Sequence, residues 1–204
     1  GDALTYEVVS SPTNGSLTGT APVLSYSPNA EYNGSDSFTF SVTDGTLSDT
    51  ATVSITVTSV NDAPVVSGIS DQTVSEGEGF TVFDLDDHLT EVDGDGILWS
   101  FSGNDELTVA IDTDNMVTVA VPNDNWNGSE SITFTATDDN TDGLTSSDVA
   151  VFTVTAVNDA PVAGAQDVTT DEDSGISILL TGTDADGDAL TYEVVSSPTN
   201  GSLT

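Results

Sequence analysis

The first eighteen residues, GDALTYEVVSSPTNGSLT, return without a change at 187–204, so the chain holds one full period of 186 residues and the start of the next. Fidelity of that order marks a stretch of a tandem array rather than a single folding unit. A weaker repeat is nested inside it. NDAPV begins at Asn61 and again at Asn158, a spacing of 97, which leaves 89 residues of the period for a second module type. YNGSDSFTFSVTD from Tyr32 answers WNGSESITFTATD from Trp126, and DGDALTY from Asp186 answers DGDGILW from Asp93. These landmarks divide the chain into three parts. Residues 1–62 are the C-terminal part of a module without its first strands, 63–159 a complete module, and 160–204 the N-terminal part of another module of the first type.

Apolar residues alternate with Ser and Thr at 37–42, 52–58, 116–121, 131–136 and 149–157, the signature of strands with one dry face and one wet face. Two further strands are predicted in the last part, at 176–181 and 189–196. Clusters of Gly, Asn, Asp and Pro separate the runs at short intervals, and no stretch sustains a helical stripe. About seven short antiparallel strands in roughly 90 residues predict an all-β fold of immunoglobulin-like β-sandwich modules in an extended array. Asn-Gly-Ser triplets at Asn14, Asn33, Asn127 and Asn200 read as tight turns before they read as glycosylation sites. Trp99 and Tyr192 fall at matching strand positions, as Tyr32 and Trp126 fall at matching turn positions, which reads as repeated packing rather than as a sugar-binding platform.

Charge narrows the function. The 204 residues carry 35 Asp plus Glu, one His and no Lys or Arg, for a formal charge of −35. A chain without fixed cations cannot neutralise phosphates, so nucleic acid is excluded as a partner, and so are anionic membranes, arginine fingers and Schiff-base lysines. No apolar run approaches 18 residues and no basic stretch precedes an apolar one, so the segment is expected to hold neither a membrane span nor a signal peptide. Without Cys and with His88 alone, neither a zinc site nor a catalytic triad can be assembled. His88 reads as a surface residue. The abundant carboxylates sit in turns with no sign of a cleft, and no enzyme is expected. None of them has an internal basic partner, which leaves dissolved cations as the remedy for their repulsion.

The carboxylates concentrate where modules turn and join. Asp184, Asp186 and Asp188 lie between the predicted second and third strands of the last part, and Glu91, Asp93 and Asp95 stand at the same turn of the complete module. Asp2 is the earlier copy of Asp188. Alternate carboxylates around a Gly can curl their oxygens round one hard cation, and Ca²⁺ takes 6 to 8 oxygens. A solvated acidic hairpin is the plainer alternative. Five residues do not fill such a shell, so further ligands are expected from Asp44 and Asp138 in the hairpin before the last strand and from the linkers Asn61, Asp62, Asn158 and Asp159. Candidates from the preceding module are Asp36 and Glu130 after Asn-Gly-Ser, and the acidic first-strand residues Glu76, Glu78, Asp171, Glu172 and Asp173. Asn-Asp before Ala-Pro can equally serve as a turn former. An EF-hand is not implied, because Val195 stands where its last Glu would be.

NDAPV, then DEDSG, then DADGDALTYEVVSSPTNGSLT, then YSPNAEYNGSDSFTFSVTDG together resemble the bacterial cadherin-like, or immunoglobulin-like, tandem repeats of giant surface adhesins of the RTX type. The likeness covers essentially the whole chain. NDAP is similar to the linker motif of animal cadherins, the first pair of DADGD to their Asp-X-Asp motif, and Glu76 or Glu78 to the acidic residue of their first strand. No counterpart of the cadherin Asp-Arg-Glu motif exists in a chain without Arg. The resemblance implies repetitive extracellular stalks at a bacterial cell surface, serving cell adhesion and biofilm formation, whose modules calcium often stiffens. The expected function is accordingly a calcium-stiffened extender whose partners are calcium ions and neighbouring repeats. The alternatives are a filament in which other copies of the chain complete its open modules, and, further off, a carbohydrate-binding module.

Overall fold

The computed structural model describes residues 3–204, so Asp2 lies outside the described residues. Among the described residues the chain is all-β with one 3₁₀ turn, at Asp86–His88. Two compact units emerge, one formed by Gly1–Val65, Thr90–Leu98 and Thr137–Ser146, the other by Val66–Leu89, Trp99–Ala136 and Ser147–Thr204.

In the first part of the chain, strands β1 (Thr5–Ser10), β4 (Gly34–Thr43) and β5 (Ser48–Val57) form a sheet in the order β1-β4-β5, while β2 (Gly15–Thr20) and β3 (Val23–Pro28) form a separate hairpin. The β4–β5 ladder runs antiparallel from Gly34↔Val57 to Thr43↔Ser48. Alternation turns Phe38, Phe40, Val53 and Ile55 to one face, yet each stays only half-buried.

The complete module adds what that half lacks. After β6 (Val65–Val66) come β7 (Gln72–Ser75), β8 (Phe83–Asp84), β9 (Leu89–Thr90), β10 (Ile97–Ser102), β11 (Thr108–Ile111), β12 (Met116–Ala120), β13 (Gly128–Asp138) and β14 (Thr145–Thr155). One sheet has the order β10-β13-β14-β7 and the other β11-β12-β8. β7 lies parallel to β14, with Phe152↔Gln72 and Thr153↔Thr73 in register, and β8 lies antiparallel to β12. Between the sheets Ile132, Phe134, Ala136, Ala150 and Phe152 are fully buried. Phe83 meets Phe134 edge-on with ring centres 5.6 Å apart, and Phe80 meets Phe152 edge-on at 5.2 Å. His88 is half-buried rather than a free surface residue, its ring against Phe83 at 6.2 Å, because the 3₁₀ turn folds it back over that aromatic cluster.

In the last part, β15 (Val162–Ala163) pairs antiparallel with β16 (Gly182–Thr183), and Gln166 donates Nε2 to the Leu179 carbonyl at 2.8 Å. The strands predicted at 176–181 and 189–196 do not form. The cause is visible in the repeat itself. TYEVVS at 5–10 is a strand because β4 offers it a ladder, whereas the same six residues at 191–196 have no such neighbour and Val195 is 96% exposed. Strand propensity without a partner edge leaves backbone groups to water.

Candidate metal centre

The loop between β9 and β10 holds Glu91, Asp93 and Asp95, with one carboxylate oxygen from each lying within 4.8 Å of the others. Gly94 takes a left-handed φ of +80°, which bends the backbone so that the flanking aspartates point the same way. The Asp93 N–H donates to Glu91 Oε1 at 2.8 Å, fixing the curl. Glu91 Oε2 is buried and has no hydrogen-bond partner among the described residues. An orphaned, buried, anionic oxygen beside two further carboxylates is costly in isolation and fits a cation ligand.

The linker closes on this loop. The Asp62 N–H donates to Asp93 Oδ2 at 2.7 Å. Asn61 donates Nδ2 to Asp138 Oδ2 at 2.9 Å, and Asn140 donates Nδ2 to Asn61 Oδ1 at 2.9 Å and to Asp95 Oδ2 at 3.1 Å. Asp138 is 2% exposed at the end of β13, and its other oxygen accepts the Leu144 N–H at 3.1 Å. Six sequence-predicted residues (Asn61, Asp62, Glu91, Asp93, Asp95 and Asp138) therefore meet at one place.

Two residues that sequence reasoning passed over join them. Asn140 ties linker to loop, as described. Glu31, in the turn before Tyr32, shares a hydrogen bond with the Asp62 carboxyl, and this bond, the Asp62 charge, burial and the Asp93 charge hold its own carboxyl above the ordinary range. Pro28, Tyr32, Val60, Asp62 and Asp93 line a small cleft with it. From the preceding module it is Glu31 that meets the linker, at Asp62. Asp36 is buried and accepts the N–H groups of Thr13, Asn14 and Ser37 and the Tyr26 hydroxyl. Glu130, its counterpart, does the same work by accepting the N–H groups of Asp105, Glu106 and Leu107.

The second linker repeats the clasp. The Asp159 N–H donates to Asp186 Oδ2 at 2.6 Å, as Asp62 does to Asp93, and Asp184 Oδ1 accepts from Asp186 and Asp188 at 3.1 Å each. Asn158 bonds the Asp159 carbonyl. Asn125, which occupies the turn position of Glu31, lines a cleft with Asp159, Thr183 and Asp184. Glu76 reaches the residue before this linker, accepting the Val157 N–H at 2.9 Å, while Glu78 accepts the Ser75 N–H within its own turn. Asp44 is bonded within its own hairpin. The Leu47 N–H, the Thr46 N–H and the Thr46 hydroxyl lower its carboxyl to about 2.

These carboxyls predict a two-sided pH dependence for the metal-free chain. Glu31, raised in the folded state, penalises folding at neutral pH, and the penalty is relieved as pH falls through its raised value. Asp44 and Asp36 act oppositely. Burial alone would raise Asp36, but the N–H groups of Thr13, Ser37 and Asn14 and the Tyr26 hydroxyl hold it below the ordinary range. Their contributions are complete above the ordinary Asp value of 3.8 and fade as pH drops below it, that of Asp44 toward about 2. Melting temperature followed against pH without metal should peak in weak acid and fall on both sides. A curve that rises steadily to neutral pH would contradict this assignment.

A family model described as a bacterial Ig domain matches the chain three times, over residues 1–56, 61–155 and 158–204. Among solved structures, the protocadherin gamma B2 extracellular cadherin domains 1–5 align over 89% of this chain and 39% of theirs, at 18% identity and a TM-score of 0.57. A protocadherin gamma B7 fragment, EC3-6, aligns over 89% of this chain and 47% of its own, at 24% identity and a TM-score of 0.55. An endo-fucoidan hydrolase of glycoside hydrolase family 107 aligns at 30% identity with a TM-score of 0.36, over 77% of this chain and 24% of the enzyme. The chain thus spans between a quarter and half of the solved chains it resembles. No curated protein matches it. The cadherin-like likenesses establish the fold, tandem β-sandwich modules.

Proposed function

Because this chain belongs to the bacterial Ig-domain family, we propose that it is a calcium-stiffened extender of a large extracellular adhesin, spacing a binding domain from a bacterial surface. The Ig-like and cadherin-like array is consistent with an extracellular, surface-associated adhesin module, and among the described residues no helix is long and apolar enough to cross a membrane. The observation that carries the calcium reading is the convergence of Glu91, Asp93 and Asp95, with an orphaned Glu91 oxygen, on a linker tied by Asp62 and Asn61. Glu91, Asp93, Asp95, Asp138, Asp62 and Glu31 would supply the oxygens. Calcium there offsets two charges and pins the linker to the loop. Asn158, Asp159, Asp184, Asp186 and Asp188 are the corresponding set at the second linker, and repetition of such joints over many modules makes a long rod.

Calorimetric titration of the chain with calcium, paired with small-angle scattering, tests the reading. The expected outcome is saturable binding accompanied by a shift toward an extended, less flexible particle. Asp93→Asn should weaken the binding by at least about tenfold. Absence of heat at millimolar calcium, or binding with no change in shape, would remove calcium stiffening and leave acidic turns that serve solubility.

A further inference from the structure

Resting on the calcium reading, we infer that the two linkers of a period hold calcium unequally, the Asn61–Asp62 joint more tightly than the Asn158–Asp159 joint. At intermediate calcium the array then alternates stiff joints with hinges. The grounds are differences of residue identity and turn length, which hold wherever the period is cut.

The first difference is charge. Glu31 and Asn125 stand at the same offset before Asn-Gly-Ser. Glu31 shares a hydrogen bond with the Asp62 carboxyl, and Asn125 lines a cleft with Asp159. Both side chains offer an oxygen, but Glu31 brings a negative charge and Asn125 none. The other acids match one for one, Glu91 with Asp184, Asp93 with Asp186, Asp95 with Asp188 and Asp138 with Asp44. The first joint therefore carries one more carboxylate, and calcium affinity rises with the charge of the ligand set.

The second difference is side-chain length in the acidic loop. Glu91 and Asp184 each accept the N–H two residues on, at 2.8 and 3.1 Å, which closes the same curl. Asp184 Oδ1 accepts the Asp188 N–H as well, so that oxygen is spent on its own loop. The longer Glu91 keeps Oε2 buried and without a hydrogen-bond partner among the described residues, free for a cation.

The third difference is the turn before the last strand. It runs over 139–144 in the complete module and over 44–47 in the half-module of β1 to β5, whose type is the one that follows the Asn158–Asp159 linker. Both turns close alike, with Asp138 Oδ1 accepting the Leu144 N–H and Asp44 Oδ1 the Leu47 N–H. The longer turn adds Asn140, whose amide bridges Asn61 Oδ1 and Asp95 Oδ2. In the shorter one Thr46 takes up Asp44 Oδ1 through its N–H and hydroxyl. The first linker is thus held against its loop before a cation arrives, which lowers the ordering cost of binding.

All three differences act in one direction. Between the two dissociation constants, each period of 186 residues holds one locked joint and one free joint, so calcium grades the stiffness of the array instead of switching it.

The test is calorimetric titration of the 204-residue chain with calcium, one joint at a time. Asp186→Asn with Asp188→Asn leaves the first joint to be measured, and Asp93→Asn with Asp95→Asn leaves the second. The expected result is binding at least about tenfold tighter at the first joint. Residues 160–204 stop short of their own hairpin, so exchange of the distinguishing residues decides the cause. Glu31→Gln should weaken the first joint about tenfold, and Asn125→Asp should tighten the second by a similar factor. Asn140→Ala should weaken the first joint alone. Glu31 and Asn125 are exposed turn residues, and a gain of affinity at the second joint cannot come from misfolding. Equal affinity at the two joints, or affinities that none of these substitutions moves, would overturn the inference and leave the calcium reading standing. No heat at either joint would remove both.

Discussion

Replacing Phe134 by Ala should cost the complete module about 3–5 kcal/mol, enough to bring a domain of this size close to unfolding. Phe134 is fully buried, on the inward face of β13 between two sheets, with Phe83 edge-on at 5.6 Å. Removal deletes the transfer free energy of the ring and leaves a cavity that flanking strands cannot close, because their ladders fix their spacing. The same chain supplies its own control. Phe40 holds the same strand position in the half-module but is only half-buried, so Phe40→Ala forfeits less burial and opens no sealed cavity, at about 1 kcal/mol. Both tryptophans, Trp99 and Trp126, belong to the complete module, so their fluorescence follows its unfolding alone while circular dichroism follows all the strands. Denaturant titration of both variants should show a large shift in the Trp signal for Phe134→Ala and none for Phe40→Ala. Equal shifts would mean that the two halves share one cooperative core.

That contrast also explains what could be read from the residues. Alternation at 131–136 and 149–157 predicted β13 and β14 because those strands have sheet on both sides and their inward residues face a finished core. The same kind of pattern at 176–181 and 189–196 predicted strands that do not form, since pattern specifies a face and says nothing of whether a partner edge is present. At the metal centre, Glu91, Asp93 and Asp95 were legible because their spacing is local and a single loop sets it. Glu31 was not, because nothing near it in sequence distinguishes it from Asp36 five residues later. The difference is in the third dimension. Asp36 faces three N–H groups and a hydroxyl of its own module, while Glu31, at a φ of +57°, faces Asp62. The sequence signal nearest to it is Asn125 at the equivalent turn, a second oxygen donor at the same offset before Asn-Gly-Ser.

Asp138→Ala should act on the metal-free and calcium-loaded chain by different routes, and the two can be measured apart. Without metal, the Leu144 N–H and the Asn61 amide lose their acceptor, and leaving those donors unpaired at a site 2% exposed costs about 1–3 kcal/mol. Deleting the charge relieves some repulsion from Asp93 and Asp95, so the loss should stand at the lower end of that range. With calcium the sign of that correction reverses. A carboxylate that repels its neighbours in the empty loop becomes a ligand, and its removal should weaken binding by at least about tenfold. A ligand at a hundred times its dissociation constant stabilises the folded state by about 2.7 kcal/mol, so a variant with tenfold weaker binding forfeits about half of that at the same calcium concentration. Melting the parent and the variant across a calcium series should therefore show two curves that diverge as calcium rises. Parallel curves would confine Asp138 to holding Leu144 and Asn61 in place, and the cation would then rest on Glu91, Asp93 and Asp95 with the linker and Glu31 alone.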